Sequence, residues 1–175
     1  MKIAELKKLL KAGEWNDVEF KEARTDVPKS AFETVSAFAN THGGRIVFGV
    51  SQRGDAYEIT GVEKPDKVQN DFLSVLHADA KINHDVAVTE RKFDIGGKTV
   101  LVFQVAENPR TRKPVYLDGD IRRTFLRKGG GDYKAQMQDI ERMLRDATSD
   151  RWDGQPFERV SLKDAFHSGS LKWYR

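Results

Sequence analysis

The sequence predicts an α+β domain with a mixed, largely antiparallel sheet and helices packed against it. Segments in which apolar residues recur at helical spacing are interspersed with short segments rich in β-branched and aromatic residues. Turn signals separate neighbouring predicted strands, which indicates hairpins and therefore antiparallel pairing. A doubly wound parallel sheet would instead need a helix between successive strands. With 175 residues, 38% of them hydrophobic, the chain is large enough to bury one core.

Apolar spacing defines the elements of the N-terminal half. An amphipathic helix is predicted for MKIAELKKLLKAGE. Its apolar residues on one side are Ile3, Leu6, Leu9 and Leu10. A half-exposed strand is predicted for NDVEFKEA, because Val18 and Phe20 alternate with the polar Glu19. Helical spacing continues in TDVPKSAFETVSAFAN, a buried strand is indicated by RIVFGV, and a short partner strand by ITGV.

The C-terminal half contains two further predicted helices and two strand regions. A helix with Pro65 in its first turn is predicted for PDKVQNDFLSVLHADA. A hairpin that turns at Gly96 and Gly97 is predicted for HDVAVTERKFDIGGKTVLVFQVA, and one or two strands for KPVYLDGDIRRTFLRK. A final helix with Asp132 as its N-cap is predicted for DYKAQMQDIERMLRDA. Its inward residues are expected to be Met137, Ile140 and Leu144.

Composition limits the class of protein. The chain has no cysteine, which excludes disulfides and thiolate metal sites and fits a reducing cytosol. No apolar run approaches the roughly 20 residues that a membrane-spanning helix needs, and the N-terminal helix lacks the apolar core of a signal peptide. We therefore expect a cytoplasmic protein with no membrane partner.

The chain divides into a domain and a tail. We expect residues 1–147 to form the domain, and residues 148–175 to be a linker or the start of a further module, because the tail breaks the pattern and ends in KWYR. The sequence leaves open whether the protein forms a homo-oligomer and whether further domains follow residue 175.

The first glycine pair, in SAFANTHGGRIVFGV, predicts a helix end and not a phosphate site. A phosphate loop runs from strand to glycines to helix, whereas here the order is helix, glycines, strand. The helix would present its negative C-terminal end, which repels phosphate. Gly43 or Gly44 as a left-handed cap explains the pair, with His42 as a cap or surface residue. Nothing in this segment indicates ATP binding.

The second glycine run and its surroundings suggest an anionic partner. In RKGGGDYKA a strand precedes the glycines and a predicted helix follows, which allows either anion binding or a flexible loop. Residues 108–134 contain eight Lys and Arg against three Asp, a local excess of five in a chain whose net charge is +3. We favour RNA or DNA as the partner over the alternative that these charges form only a solvated surface. Tyr116 and Tyr133 are available for stacking, and Phe125 is expected to face the core. The predicted binding residues are Arg110, Arg112, Lys113, Arg122, Arg123, Arg127, Lys128, Gly129 and Gly130.

Glu14 and Glu19 are the candidate acidic residues. Glu19 is expected on the polar face of its strand, beside Lys21. Two carboxylates brought together could hold a divalent metal for phosphodiester hydrolysis, although a surface Glu next to a Lys more often forms a minor ion pair.

Together these motifs resemble the Schlafen AlbA-type domain. The resemblance rests on E-x4-EFKEA, AFANTHGGRIVFGV, ITGV and the later KPVYL and RRTFLRKGGG, and it covers about residues 10–147. It implies an α+β fold and nucleic-acid binding, commonly in the N-terminal part of a bacterial regulator or defence protein.

The resemblance also implies an alternative activity. Some members cut tRNA or rRNA with three acidic residues and Mg²⁺ or Mn²⁺, and two of these positions match Glu14 and Glu19. The third would fall at Ser51 or Gln52, neither of which is acidic, and Asp55 is the nearest carboxylate. The alternatives to a binding module are therefore a metal-dependent endoribonuclease and an assembly or sensor domain that binds no nucleic acid.

Overall fold

The computed structural model describes residues 3–14, 16–54, 56–78 and 81–148. Its elements in chain order are α1 Ile3–Ala12, β1 Val18–Lys21, α2 Ser30–Asn40, β2 Gly44–Phe48, β3 Val50–Arg53, β4 Ala56–Ile59, α3 Pro65–His77, β5 Val88–Ile95, β6 Lys98–Val105, a 3-10 helix Arg110–Arg112, β7 Tyr116–Leu117, β8 Asp120–Lys128, β9 Gly131–Lys134 and α4 Met137–Thr148. Within the described residues, no helix is long and apolar enough to span a membrane. The predicted tail lies outside the described residues except for Thr148, the last residue of α4.

The central sheet has four strands in the order β1-β2-β6-β5. Strands β1 and β2 are parallel and are connected through α2, whereas β2 and β5 both pair antiparallel with β6. Gly96 and Gly97 form the two-residue turn of the β5–β6 hairpin with φ of 62° and 75°, the left-handed values that such a turn requires. The prediction of an α+β fold with a mixed, largely antiparallel sheet is confirmed.

Apolar side chains cover both faces of this sheet. On one face, Phe48 and Phe103 pack with Phe72 of α3, at ring-centroid distances of 4.5–5.3 Å. On the other face, Val18 and Phe20 belong to a second apolar cluster that includes Leu6 of α1. Glu19, on the opposite face of β1 from Val18 and Phe20, is also buried. Strand β1 is therefore buried on both faces, and the prediction of a half-exposed strand is corrected.

A second sheet, in the order β7-β8-β9, packs against α2 and is joined to it by polar side chains. The Asn40 amide donates to the Val115 and Phe125 carbonyl oxygens at 2.8 and 3.1 Å, and its own oxygen accepts from the Val115 amide at 2.8 Å. Ser36 donates to the same Val115 oxygen and accepts from the Phe125 amide. The polar residues of the helix motif thus satisfy buried backbone groups where the β7–β8 pairing is irregular.

The first glycine pair ends α2, as predicted. The Gly43 amide donates to the Phe38 carbonyl oxygen at 2.9 Å, and Gly43 has a φ of +71°. A Cβ at Gly44 would lie 2.6 Å from the Phe38 ring, so this position lacks room for a side chain. His42 has an exposed side chain, in agreement with the prediction.

The second glycine run corrects the prediction for the C-terminal helix. Gly129 and Gly130 form the turn of the β8–β9 hairpin, so the glycines lead into a strand and not into a helix N-terminus. Asp132 lies in β9, paired with Arg127 in the ladder, and cannot cap a helix that begins at Met137. The final helix has Ile140 and Met143 buried, whereas Met137 and Leu144 are exposed.

Candidate nucleic-acid interface

The predicted basic residues do not form one continuous face. Arg110 and Arg112 are exposed on the 3-10 helix, Arg122 and Arg123 lie near the start of β8, and Lys128 ends that strand at the hairpin turn. Arg122 and Lys128 are separated by six residues of extended chain, about 20 Å at a rise of about 3.3 Å per residue. The structure therefore divides the segment into separate groups of cations.

Carboxylates neutralise the cations near the start of β8. Arg122 makes two hydrogen bonds to the Asp120 carboxylate, at 2.9 and 3.0 Å, and these hydrogen bonds lower the pKa of Asp120. Arg123 forms an ion pair with Asp118. Because each guanidinium already faces an anion, this group presents little net positive charge to a polyanion.

Arg127 is buried and is not part of an exposed face. Its side chain is 1% exposed, and Nη1 lies 2.8 Å from Glu19 Oε2 and 2.9 Å from Asp132 Oδ1. Nη2 donates to the Val18 carbonyl oxygen at 2.8 Å, and the guanidinium lies 5.1 Å from the centroid of the Phe38 ring. The expected surface contact is corrected: this arginine ties β8 and β9 to β1.

Four exposed cations in this region form no ion pair with any other described residue: Arg110, Arg112, Lys128 and Lys134. Arg110 and Arg112 lie on the 3-10 helix and Lys128 on β8, whereas Lys134 lies on β9. Lys134 contributes to the charge excess of residues 108–134 but is not among the predicted binding residues. These side chains are the ones best able to neutralise phosphates.

A cleft of about 280 Å³ is lined by residues of the 3-10 helix, β8 and α4. Its lining residues are Asn40, Arg110, Lys113, Leu126, Arg142, Met143 and Asp146. Lys113 is paired with Glu107 at 2.6 Å and Arg142 with Asp139 at 3.4 Å. Sequence reasoning missed Arg142, because only the packing of α4 against the 3-10 helix brings it to the cleft that Arg110 lines.

An exposed tyrosine adjoins the cleft. Tyr133 is 57% exposed and lies directly opposite Leu126 in the β8–β9 ladder. Lys128 lies two residues beyond Leu126, on the same face of the strand. A Cβ at Gly131 would lie 2.8 Å from the Tyr133 ring, so the ring rests on the backbone of that glycine. We call Arg110, Lys113, Arg142, Lys128 and Tyr133 together the basic strip.

The two glutamates lie on and beside β1. Glu14 Oε1 accepts a hydrogen bond from the Phe20 amide at 2.9 Å, and partial burial raises the pKa of Glu14. Glu19 is 8% exposed, with Oε1 lying 2.5 Å from Lys21 Nζ and Oε2 bonded to Arg127. The expectation that Glu19 projects to a polar surface is corrected.

As placed, these carboxylates do not fit a divalent metal. Both oxygens of Glu19 are already matched by cations, and no group of three or more His, Cys, Asp or Glu among the described residues could hold a metal ion. Asp55 lies outside the described residues. The catalytic role of Glu14, Glu19 and Asp55 stays a prediction.

Comparisons with known proteins give a consistent result. The family model described as Schlafen, AlbA_2 matches residues 14–136. The solution structure of the N-terminal domain of a protein from Nitrosomonas europaea, whose name relates it to the ATP-dependent DNA helicase RecG, is similar at a TM-score of 0.53 and 27% identity, over 94% of both chains. A crystal structure of a Corynebacterium diphtheriae protein shares the fold at a TM-score of 0.54 and 19% identity, over 84% of this chain and 28% of that one. No curated protein matches the sequence.

Proposed function

Because the chain belongs to the Schlafen, AlbA_2 family, we propose that it is a nucleic-acid-binding module that contacts the phosphate backbone through the basic strip. The observation that carries the proposal concerns two exposed cations that meet no carboxylate among the described residues. Arg110 lines the cleft, and Lys128 lies two residues beyond Leu126, which also lines it. Such cations bind a polyanion by releasing its condensed counterions. The likeness to an N-terminal domain supports the further proposal that this chain is the N-terminal module of a longer protein, and the family resemblance suggests a bacterial regulatory or defence protein.

The physical consequence of this proposal is a steep dependence on salt. Each phosphate that is neutralised contributes about 0.9 to the slope of log K against log salt for duplex DNA and about 0.7 for a single strand. Removing two contacting cations should therefore lower the slope by about 1.4–1.8. Contacts of this kind position a nucleic acid but carry no base sequence, so binding should be similar for unrelated sequences.

The test is fluorescence anisotropy with labelled RNA and DNA oligomers between low and physiological salt. The variant Arg110→Ala/Lys128→Ala should bind more weakly and with a lower salt slope than the wild type. The matched control is Lys8→Ala/Lys64→Ala, which removes the same charge from two exposed lysines that form no ion pair with another described residue and lie outside the strip. Equal losses of affinity in the two variants would refute the proposal. Absence of binding by the wild type at low salt would also refute it and would favour an assembly or sensor domain.

The same reactions test the endoribonuclease alternative. Tubes with Mn²⁺ and with EDTA are scored for cleavage of a tRNA pool, beside the variant Glu14→Ala/Glu19→Ala. We expect intact RNA, because Arg127 and Lys21 already neutralise Glu19. Metal-dependent cutting by the wild type alone would establish the nuclease and make Asp55 the next residue to replace.

A further inference from the structure

We propose that the basic strip selects single-stranded nucleic acid, with one unpaired base stacked on Tyr133 and a neighbouring nucleotide in the cleft beside Leu126. This inference rests on the proposed function, because it names the class of nucleic acid that the strip would bind. It is carried by two features that phosphate contact alone does not require: an exposed aromatic ring and a cleft with an apolar wall.

The Tyr133 ring has the properties of a stacking platform. It is 57% exposed, so more than half of its surface is open to a ligand. It rests on Gly131, which leaves no side chain between the ring and the backbone. Lys128, across the ladder from Gly131, places a cation near the phosphate of a stacked nucleotide. Stacking on an aromatic ring suits every base, since each base has a π face.

The cleft has a lining that suits a nucleotide. Its volume of about 280 Å³ lies just below the range for small-molecule sites, which begins at about 300 Å³, so we expect it to enclose part of a nucleotide. Leu126 and Met143 supply apolar contact for a base. Arg110, which meets no carboxylate among the described residues, supplies positive charge for a phosphate, and Arg142, whose partner is Asp139, lines the same cleft.

The platform and the cleft are adjacent. Leu126, which lines the cleft, lies directly opposite Tyr133 in the ladder, and side chains in that relation have Cβ atoms about 4.5–5.5 Å apart. Successive nucleotides of one strand could therefore occupy the two positions. A duplex could not use them without unpairing, because its bases are stacked on each other and paired across the helix.

The experiment compares four labelled ligands of equal length: single-stranded DNA, single-stranded RNA, a DNA duplex, and a DNA strand in which several bases are replaced by abasic sites. Anisotropy at one moderate salt concentration should show tighter binding of the single strands than of the duplex. The abasic strand keeps its phosphates but cannot stack, so it should bind more weakly than the intact strand.

Two sets of variants locate the effect. Tyr133→Ala should weaken single-strand binding by about 5- to 150-fold with the salt slope unchanged, whereas Tyr133→Phe should retain binding because the ring is kept. Arg142→Ala should weaken binding, whereas Arg145→Ala removes the same charge from an exposed position of α4 that does not line the cleft and should have a smaller effect. Circular dichroism of each variant confirms folding before binding is measured.

Failure of this inference differs from failure of the proposed function. One result would leave only backbone binding: Tyr133→Ala binds as tightly as the wild type, the abasic strand binds as tightly as the intact strand, and Arg110→Ala/Lys128→Ala still weakens binding. In that case the inference of single-strand selection is wrong. A duplex that binds as tightly as the single strand would also overturn it. If no ligand binds to the wild type, both proposals fall.

Discussion

Asn40 gives the sharpest test of how the β7-β8-β9 sheet is joined to α2. Its side chain is 6% exposed, and its amide makes close hydrogen bonds with the backbone of Val115 and of Phe125. Asn40→Ala would leave the buried Val115 N–H without its acceptor and the Phe125 carbonyl oxygen without this donor. A buried polar group that loses its partner costs about 1–3 kcal/mol, so for these two groups we expect a loss of about 2–6 kcal/mol in the free energy of unfolding. For a chain of this size each kcal/mol lowers Tm by about 2–4 °C.

The measurement is urea-induced unfolding followed by far-UV circular dichroism, with Asn70→Ala as the control. Asn70 is exposed on α3, where an alanine should change stability by less than about 0.5 kcal/mol. Asn40→Asp adds a second reading, because it keeps the acceptor for the Val115 amide but brings a carboxylate toward two carbonyl oxygens. It should be more destabilising at pH 7 than at pH 4. If Asn40→Ala and Asn70→Ala unfold at the same urea concentration, the hydrogen bonds of Asn40 do not hold the β7-β8-β9 sheet to α2.

Three further changes test other parts of the fold. Arg127→Met should lower stability by about 3–5 kcal/mol, because it leaves buried carboxylates without their cation. Adding Glu19→Gln should recover part of that loss. A loss below about 1 kcal/mol in urea unfolding would contradict the buried ion pair. Gly44→Ala should lower stability by about 1–3 kcal/mol, because its Cβ would meet the Phe38 ring. Combining it with Phe38→Leu should lower stability by less than the sum of the two single changes. Strict additivity of the two losses in thermal unfolding would rule out this contact. Burial raises the pKa of Glu14, so the native state keeps this proton to higher pH than the unfolded state, and Glu14 lowers the stability of the fold as pH rises above about 4.5. Glu14→Gln should therefore gain stability relative to wild type between about pH 4 and pH 7. A constant stability difference across that range would disprove the assignment.

The sequence predicted the helices and the β5–β6 hairpin of this protein from local patterns. The short strand predicted for ITGV lies earlier in the chain, as β4 Ala56–Ile59. The α2 motif and its glycine stop, the Pro65 helix and the Gly96-Gly97 turn are each specified by residues that are close together in the chain. Apolar spacing also predicted the burial of Phe125. These predictions succeeded because helix periodicity, left-handed glycine positions and strand alternation depend on neighbouring residues.

The predictions that failed involved contacts between distant residues. The charge of Glu19 on β1 suggested a polar face, but its partner Arg127 lies 108 positions further along the chain. The glycine run before Asp132 suggested a helix start, but pairing with β8 made it a hairpin. In both cases tertiary pairing overrode the local signal.

The sequence by itself determined the class of fold, the order of most elements and the presence of a basic segment that suits a polyanion. Only the tertiary structure decided which cations remain available. Folding buries Arg127 and pairs Arg122 with a carboxylate, whereas it leaves Arg110 and Lys128 exposed. A charge count cannot make this distinction, because the electrostatic effect of a side chain depends on its burial and on its distance from opposite charges. The packing of segments that are far apart in sequence sets both of these.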